Sequence, residues 1–339
     1  MHEYIEQFAG NADTWILLLV TAISIAVLGK SADILVENAV KISIKTGLPK
    51  VIVGATIVSI GTTFPEAVVS VMAAIGGHPD FALGNAVGSI ICDTGLILGI
   101  ACLMSPLKLD MKLVNRQGWV QFGVAILLVA MCLPYGRLNE LFSQQAFLHQ
   151  WSGFLLVVLL GIYLVWSVRL ARLADPVTED EEVGQEISII PCVTVLTVAC
   201  GFVILSSIGL IESTKVLAFR AGVSEAVIAA TVVAFGTSLP ELVTAITAVR
   251  KGHGELAIGN IIGADILNVL FVAGLAATVT PGGLYADPIF FSLQFPVMLF
   301  ILLCFRVGIK TSANGYLGRR TGFLLLGTYI VYILKTVAN

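Results

Sequence analysis

Two glutamates in this chain each follow a proline inside an otherwise apolar stretch. Glu66 ends the sequence Gly-Thr-Thr-Phe-Pro-Glu, and Glu241 ends Gly-Thr-Ser-Leu-Pro-Glu 175 residues later. A proline has no N–H and clashes with the carbonyl four residues before it, so we predict that each helix kinks or unwinds there and frees carbonyl oxygens. Thr62 and Thr237 lie four residues before the glutamates, on the same helical face. Each pattern therefore offers a carboxylate, hydroxyls and carbonyl oxygens to a cation.

This set of oxygens suits a hard cation such as Ca²⁺, which takes about six to eight oxygen ligands. Two glutamates that face each other supply two negative charges, which match a divalent ion. The alternative is a proline kink with an incidental glutamate. An ionisable residue in a membrane helix is rare and is functional by default. Because the pattern occurs twice, the sequence favours an ion site.

A second pair of motifs follows at the same offset, "GNAVGSIICDTG" from residue 84 and "GNIIGADILNVL" from residue 259. Asp93 and Asn268 correspond and supply further oxygens, and Ser89 lies one turn before Asp93. The glycines at spacings of four let helices approach closely, and packing alone remains an open explanation for them. Asp265 has Ile90 as its counterpart. Either it belongs to the ion path or it makes a polar contact between helices.

The elements that must carry these residues are membrane helices. Of the 339 residues, 57% are hydrophobic and 12% are charged, against roughly 25% charged in a soluble domain. A spanning helix needs about 20 mostly apolar residues. We predict an all-α polytopic membrane protein with ten such helices, at residues 14–40, 48–76, 81–104, 117–135, 149–172, 189–215, 222–249, 255–279, 286–306 and 320–337. The N-terminus lacks the features of a signal peptide, so we expect the first helix to be retained.

Other patterns argue against catalysis. The six cysteines lie in or beside apolar segments without CxxC spacing, so they indicate neither disulfides nor metal ligands. The chain has no P-loop, HExxH or GxSxG motif, and it has no nucleotide domain to drive a pump. We expect no enzyme activity, no cofactor, no nucleic-acid partner and no protein partner. The expected partners are inorganic cations and the lipid bilayer.

The chain divides into two halves of five helices. Residues 1–173 form the first repeat with its motif at 57–100, an acidic linker spans 174–188, and residues 189–339 form the second repeat with its motif at 232–275. Because five is odd, the second copy enters the membrane from the opposite side. Such inverted-topology repeats are typical of secondary transporters with a site at the midplane.

Basic residues set the orientation of the chain. With the N-terminus outside, fourteen Lys and Arg residues fall in or beside the inside loops and four fall outside. Because cytoplasmic loops are enriched in Lys and Arg, we predict a multi-pass protein of the cell membrane with both termini extracytoplasmic and the linker cytoplasmic.

The paired "GTTFPE" and "GTSLPE", followed by "GNAVGSIICD" and "GNIIGADILN", resemble the two repeats of the sodium/calcium exchanger family, in its prokaryotic type, within the cation/Ca²⁺ antiporter superfamily. The resemblance covers essentially the whole chain. It implies that Glu66 and Glu241 are the central ligands of Ca²⁺ and Na⁺, and that Asp93 is an acidic metal ligand in the flanking Na⁺ sites. It also implies hydroxyl, carbonyl and amide oxygens that complete the central and flanking sites, from Thr62, Thr63, Thr237, Ser238, Ser89 and Asn268. Alternating access in that family slides the first and sixth helices over the rest.

The chain departs from the family pattern at several positions. Many prokaryotic members carry Asn where this chain has Asp93 and Asp where it has Asn268. The usual Gly-Ser-Asn is Gly-Ser-Ile at 88–90 and Gly-Ala-Asp at 263–265. Ala264 removes a hydroxyl that usually serves a Na⁺ site, and Asp265 adds an acid that could recruit K⁺ or H⁺. The number of Na⁺ ions and the coupling ion are therefore open.

The function we expect is secondary-active exchange of Na⁺ for Ca²⁺ by alternating access. One alternative is an antiporter of the same fold that uses H⁺ or K⁺ in coupling, or that moves another divalent cation such as Mg²⁺. A cation channel is a rival from another class, but inverted halves around one midplane site suit alternating access better. A scaffold without transport is disfavoured because buried paired carboxylates would only destabilise it.

Overall fold

The computed structural model describes residues 12–137, 139, 141–172, 189–222, 236–312 and 315–338. Ten helices lie in these ranges: α1 Thr14–Thr46, α2 Lys50–Ile75, α3 Pro79–Met104, α4 Met111–Cys132, α5 Gln150–Arg172, α6 Ile189–Arg220, α7 Leu239–Arg250, α8 Gly254–Val279, α9 Phe290–Lys310 and α10 Arg319–Ala338. The predicted linker at 174–188 and the first half of the predicted seventh helix lie outside the described residues. The all-helical architecture that the composition predicts is confirmed.

Eight of the described helices are long and apolar enough to cross a membrane, namely α1 to α6, α8 and α9. The 20-residue α10 is a less apolar helix, and the described part of α7 has 12 residues. The structure therefore supports a multi-pass membrane protein, while the count of ten spans in two repeats stays a prediction.

Two of the helix ends that differ from the predicted ones are set by local caps. The first helix continues to Thr46, where Gly47 adopts a left-handed conformation with φ of 68° and ends it. The fourth helix begins at Met111, because the Asp110 carboxylate accepts hydrogen bonds from the backbone N–H groups of Lys112 and Leu113. Both caps lie in polar segments that a count of apolar residues ignores.

Pro65 does not unwind α2, so of the two predicted outcomes, a kink or an unwound segment, unwinding is not found in the first motif. The helix is continuous from Ser59 to Ile75, and Pro65 lies inside it. A single proline removes one helical hydrogen bond and leaves the Gly61 carbonyl without its donor, while the packed neighbours of a membrane helix tolerate that loss. The irregular turn lies earlier, as a π-helical segment at Gly54–Val58.

The second motif is interrupted, as the sequence predicts. Thr237 and Ser238 form a turn, and α7 starts at Leu239. Pro240 therefore lies in the first helical turn, where a missing N–H costs nothing. The two motifs have matching sequences and different backbones.

Helices α2 and α8 cross with their backbones in contact. A methyl group on Gly259 would lie 2.2 Å from the Val51 carbonyl oxygen, and one on Gly263 would lie 2.5 Å from the Ala55 Cα atom. Small residues permit such close crossings in membranes. The crossing places the first motif, on α2, beside the third helix of the second half.

Helices α1 and α6 form a long antiparallel pair that packs across the motifs. The Thr21 hydroxyl donates a 2.8 Å hydrogen bond to the Ser213 hydroxyl, and Arg220 donates a 2.7 Å bond to the Ala12 carbonyl. Helix α6 also covers both motif glycines. A methyl group on Gly61 would lie 2.7 Å from the Cys200 sulfur, and one on Gly236 would meet Ile211 at the same distance.

Two short antiparallel ribbons join loops that are distant in sequence. Strand β1, Leu107–Lys108, pairs with β4, Tyr316–Leu317, and β2, Ala146–Leu148, pairs with β3, Leu284–Ala286. The positive-inside count places both partners of the first ribbon on the cytoplasmic side and both partners of the second outside. The ribbons are therefore consistent with the predicted path, and the orientation of the termini stays a prediction.

Candidate functional site

The predicted ion ligands lie deep inside the helix bundle. Glu66, Glu241 and Asp93 are each 1% exposed, and the other predicted ligands, Thr62, Thr63, Ser238, Ser89 and Asn268, are also buried. Thr237 is partly buried. Charged side chains are almost never fully buried without a partner, so these carboxylates require an explanation.

A hydrogen bond connects the two motifs directly. The Thr63 hydroxyl on α2 donates to Oε1 of Glu241 on α7, at 3.2 Å. The two proline-glutamate motifs therefore contribute oxygens to one cluster, which is built from both halves of the chain.

Two further hydrogen bonds relate the halves in a reciprocal way. Thr62 donates to Asn260 Oδ1, and Thr237 donates to Asn85 Oδ1, each at 3.4 Å. Thr62 and Thr237 are counterparts at the 175-residue offset, and so are the two asparagines. Mirrored pairs of this kind are what a two-fold relation between the motifs produces. Asn85 and Asn260 match at the offset in the sequence, and that match alone predicts no role for them.

Several buried oxygens of the cluster have no hydrogen-bond partner within the described residues: Glu66 Oε2, Glu241 Oε2, both carboxylate oxygens of Asp93, Ser238 Oγ and Asn268 Oδ1. A buried acceptor without a donor costs about 1–3 kcal/mol, and more when it is charged. The carboxylates of Glu66, Glu241 and Asp93 also repel one another. A bound cation removes both penalties, so the donor set fits the predicted cargo.

The cluster is not built from acidic groups alone. Among the described residues, no group of three or more His, Cys, Asp or Glu side chains lies close enough to hold a metal ion by itself. Hydroxyl, amide and backbone oxygens must therefore complete the coordination, as the Thr-rich motifs lead us to expect. Ca²⁺ accepts such mixed oxygen ligands.

Asp93 and Asn268 each begin a π-helical turn, at Asp93–Ile97 of α3 and Asn268–Ala273 of α8. A π-turn occurs mostly as a single bulge within an α-helix, and it is frequent at functional sites. The two turns start at counterpart residues. Both side chains stand out in the sequence as candidate ligands, whereas the turns that begin there have no sequence signature.

Asp265 lies beside this cluster and makes a polar contact among three helices. Its Oδ2 accepts hydrogen bonds from the Thr94 hydroxyl on α3 and, at 2.6 Å, from the Gln121 side chain on α4. Of the two explanations that the sequence leaves open, the contact between helices is found. Gln121 is not predictable from the sequence, because a lone glutamine in an apolar helix matches no motif.

Comparisons with known proteins bear on the family of this chain. The family model for the sodium/calcium exchanger protein matches residues 16–169 and 192–337. Inner membrane protein YrbG of Escherichia coli (strain K12) is 35% identical over 333 residues, which cover 94% of this chain and 96% of the relative. Sodium/calcium exchanger MaX1 of Methanosarcina acetivorans is 27% identical over 346 residues, with 93% and 97% covered.

A solved structure has the same fold. The sodium-calcium exchanger NCX_Mj matches with a TM-score of 0.80 at 25% sequence identity, over 95% of this chain and 99% of that chain. The match extends over nearly the full length of both chains, as do the matches to the two sequence relatives. This chain is thus a transporter, and it belongs to the sodium/calcium exchanger protein family.

Proposed function

We propose that this chain exchanges Na⁺ for Ca²⁺ across the cell membrane by alternating access, with the cation bound between Glu66 and Glu241. The observation that carries the proposal is the set of buried carboxylate oxygens that have no hydrogen-bond partner in the described part of the chain, contributed by both motifs and joined by the Thr63–Glu241 hydrogen bond. The relatives named as sodium/calcium exchangers support the choice of ions.

Competition for the same carboxylates couples the two ions. One Ca²⁺ neutralises two of the negative charges of Glu66, Glu241 and Asp93, and Na⁺ ions neutralise them one at a time. Two unit charges 4 Å apart interact by about 4 kcal/mol even at an effective dielectric constant of 20. The two kinds of ion therefore exclude each other. The protein with an empty site changes least readily between its outward-facing and inward-facing conformations, because its carboxylates still repel one another.

The moving part that we propose is the pair α1 and α6. This pair contacts the motifs through Gly61 and Gly236, both of which leave room for α6 to pass closely. At the predicted cytoplasmic end, Lys251 after α7 donates a 2.6 Å hydrogen bond to Glu37 of α1. This bond raises the pKa of the Lys251 ammonium, so the ion pair is intact at neutral pH. A sliding α1 has to break this contact.

An antiporter of the same fold with K⁺ or H⁺ in its coupling remains the second candidate. Asp265 is the observation that favours it, because it is a buried acid beside the cluster, and its Oδ1 has no hydrogen-bond partner among the residues that the structure describes. A cation channel gains no support from the site, since the ligands are buried rather than lining an open path.

The experiment that tests the proposal is radiolabelled Ca²⁺ uptake into proteoliposomes that contain the full chain. Vesicles are loaded with Na⁺, K⁺ or choline at equal pH, and a fourth set carries a pH gradient. We expect uptake only where internal Na⁺ can leave. Uptake that does not depend on internal Na⁺ refutes Na⁺ coupling, and a large flux without any gradient indicates a channel.

A further inference from the structure

The Tyr163 side chain joins α5 to the irregular turn of α2 that precedes the first motif. Its hydroxyl donates a 3.2 Å hydrogen bond to the carbonyl of Ala55, which lies within the π-helical segment Gly54–Val58. Tyr163 is 4% exposed and Ala55 is fully buried. A buried carbonyl has to pair with a protein donor or an ordered water, and here a tyrosine from another helix is a donor.

The hydrogen bonds of the π-turn explain why the Ala55 carbonyl takes a donor from outside α2. In an α-helix its partner would be the N–H group of Ser59, four residues later. That N–H group bonds to the carbonyls of Gly54 and Thr56 instead. The π-turn therefore removes the α-helical donor of Ala55, and the Tyr163 hydroxyl replaces it.

Helix α5 is held by polar contacts on both sides of Tyr163. At the start of α5, the Gln150 side chain donates a 2.8 Å hydrogen bond to the Thr278 carbonyl of α8. One turn after Tyr163, the Ser167 hydroxyl accepts a 2.8 Å hydrogen bond from the Gln117 side chain of α4. The tyrosine hydroxyl thus comes from a helix with its own anchors, so it can fix the position of the turn in α2.

The π-turn sets which face of α2 reaches the ion cluster. Before the turn, α2 packs on α8, where a methyl group on Gly259 would lie 2.2 Å from the Val51 carbonyl oxygen. After it come the buried side chains of Thr62, Thr63 and Glu66. A π-turn holds one residue more than the α-helical path, and one residue of an α-helix corresponds to a rotation of about 100°. If the turn became α-helical, these three side chains would therefore rotate out of the cluster.

We propose that Tyr163 is a positioning residue for the first motif. Its hydroxyl holds the π-turn, and with it the rotation of α2 that presents Thr62, Thr63 and Glu66 to the cation. The counterpart of Tyr163 at the 175-residue offset is Ala338, which has no hydroxyl, so this device belongs to the first half. The inference rests on the proposed function for its effect on Ca²⁺, because those three side chains are the proposed ligands.

The binding test uses Tyr163→Phe, which removes the hydroxyl and keeps the ring. Equilibrium binding of radiolabelled Ca²⁺ to the purified full chain gives the Ca²⁺ concentration at half-saturation. We expect the variant to need a roughly two- to tenfold higher concentration, which corresponds to the net contribution of one hydrogen bond. Tyr135→Phe is the matched control, because the Tyr135 hydroxyl also donates to a backbone carbonyl, that of Ala130 at 2.8 Å, but at an exposed position. The control should bind Ca²⁺ as the unaltered chain does.

Two measurements without Ca²⁺ separate positioning from a purely structural role. The Tm reports the stability of each variant, and backbone amide hydrogen exchange across Gly54–Val58 reports local opening of the turn. We expect faster exchange in this segment for Tyr163→Phe and no change for Tyr135→Phe. An unchanged half-saturation in Tyr163→Phe overturns the proposal even if its Tm falls. Unchanged exchange across the turn overturns it as well, because the hydroxyl then does not hold the turn.

These measurements need no ion gradient, so they separate the role of Tyr163 from the proposed exchange. If the unaltered chain binds Ca²⁺ but does not exchange it for Na⁺, the proposed function fails and the half-saturation of Tyr163→Phe still decides the role of the tyrosine. If Tyr163→Phe binds Ca²⁺ as tightly as an unaltered chain that does exchange the ions, only the positioning role fails. A lack of Ca²⁺ binding by the unaltered chain refutes the ion site and both proposals with it.

Discussion

The contact between α2 and α8 predicts that Gly263→Ala damages transport far more than a methyl group normally does. The new Cβ would lie 2.5 Å from both the Ala55 Cα atom and the Ser59 hydroxyl. Carbon atoms pack at about 3.5–4.0 Å, so the helices must separate by roughly 1 Å at this point. Overpacking of a membrane or soluble core costs about 1–3 kcal/mol in stability.

The same separation reaches the ion cluster. Thr62 lies one turn after Ser59 on α2, and its bond to Asn260 of α8 is already 3.4 Å long. Moving α2 away from α8 breaks this bond and displaces Glu66. Because a misplacement of about 1 Å can cost on the order of 10²-fold in rate when geometry is critical, we expect Ca²⁺ uptake to fall by one to two orders of magnitude.

The assay for Gly263→Ala combines Ca²⁺ uptake by proteoliposomes with the Tm of the purified protein. Gly161→Ala on α5 is the matched control, because a methyl group there meets no other atom within 4 Å in the described structure. The control should keep its uptake and gain slightly in Tm, since alanine favours helix by about 1 kcal/mol over glycine. Uptake and Tm that are unchanged in Gly263→Ala would refute the close crossing as the element that positions the site.

Two contacts and the predicted topology lead to further predictions. Thr63→Val removes the donor to Glu241, and we expect cation binding to weaken by about 1–3 kcal/mol, seen as a higher Ca²⁺ concentration for half-maximal uptake. Lys251→Met breaks the pair with Glu37, whose side chain is 54% exposed, so stability should change by only about 0–1 kcal/mol while the rate of exchange changes. The pKa of Lys251 is raised in the folded chain. The stability that this ion pair adds to the unaltered chain is therefore complete below the ordinary lysine pKa, and it is lost as the pH rises through the raised pKa of Lys251. The Tm of the unaltered chain at alkaline pH measures this loss. For the orientation, a membrane-impermeant maleimide should label Asp287→Cys from outside intact cells and leave Lys251→Cys unlabelled; the reverse pattern contradicts the predicted topology.

The residues that carry chemistry were predictable because burial of charge is costly in any fold. Glu66 and Glu241 stand out in apolar sequence, and the structure buries both in one cluster, although their role as ion ligands stays a prediction. The spans follow from the length that a bilayer requires. Helix caps such as Asp110 and Gly47 lie outside that argument, so the ends of α1 and α4 were misplaced.

Other features depend on contacts between distant helices. Local sterics at Pro65 predict a kink or an unwound segment, and α2 stays helical through Pro65, whereas its counterpart Pro240 lies at a helix start. The π-turns at Asp93 and Asn268 have no sequence signature. Gln121 becomes meaningful only when α4 places it against Asp265, which no spacing along the chain reveals.

The most direct test of the central claim is Na⁺-driven Ca²⁺ uptake by Glu66→Gln and Glu241→Gln, measured one at a time in proteoliposomes. Glutamine keeps the side-chain shape and removes the charge that a divalent ion requires. We predict that each variant folds with a Tm equal to or above that of the unaltered chain, since repulsion within the cluster is relieved, and that each loses Ca²⁺ uptake. Full uptake by either variant contradicts the assignment of the cation to the Glu66–Glu241 pair.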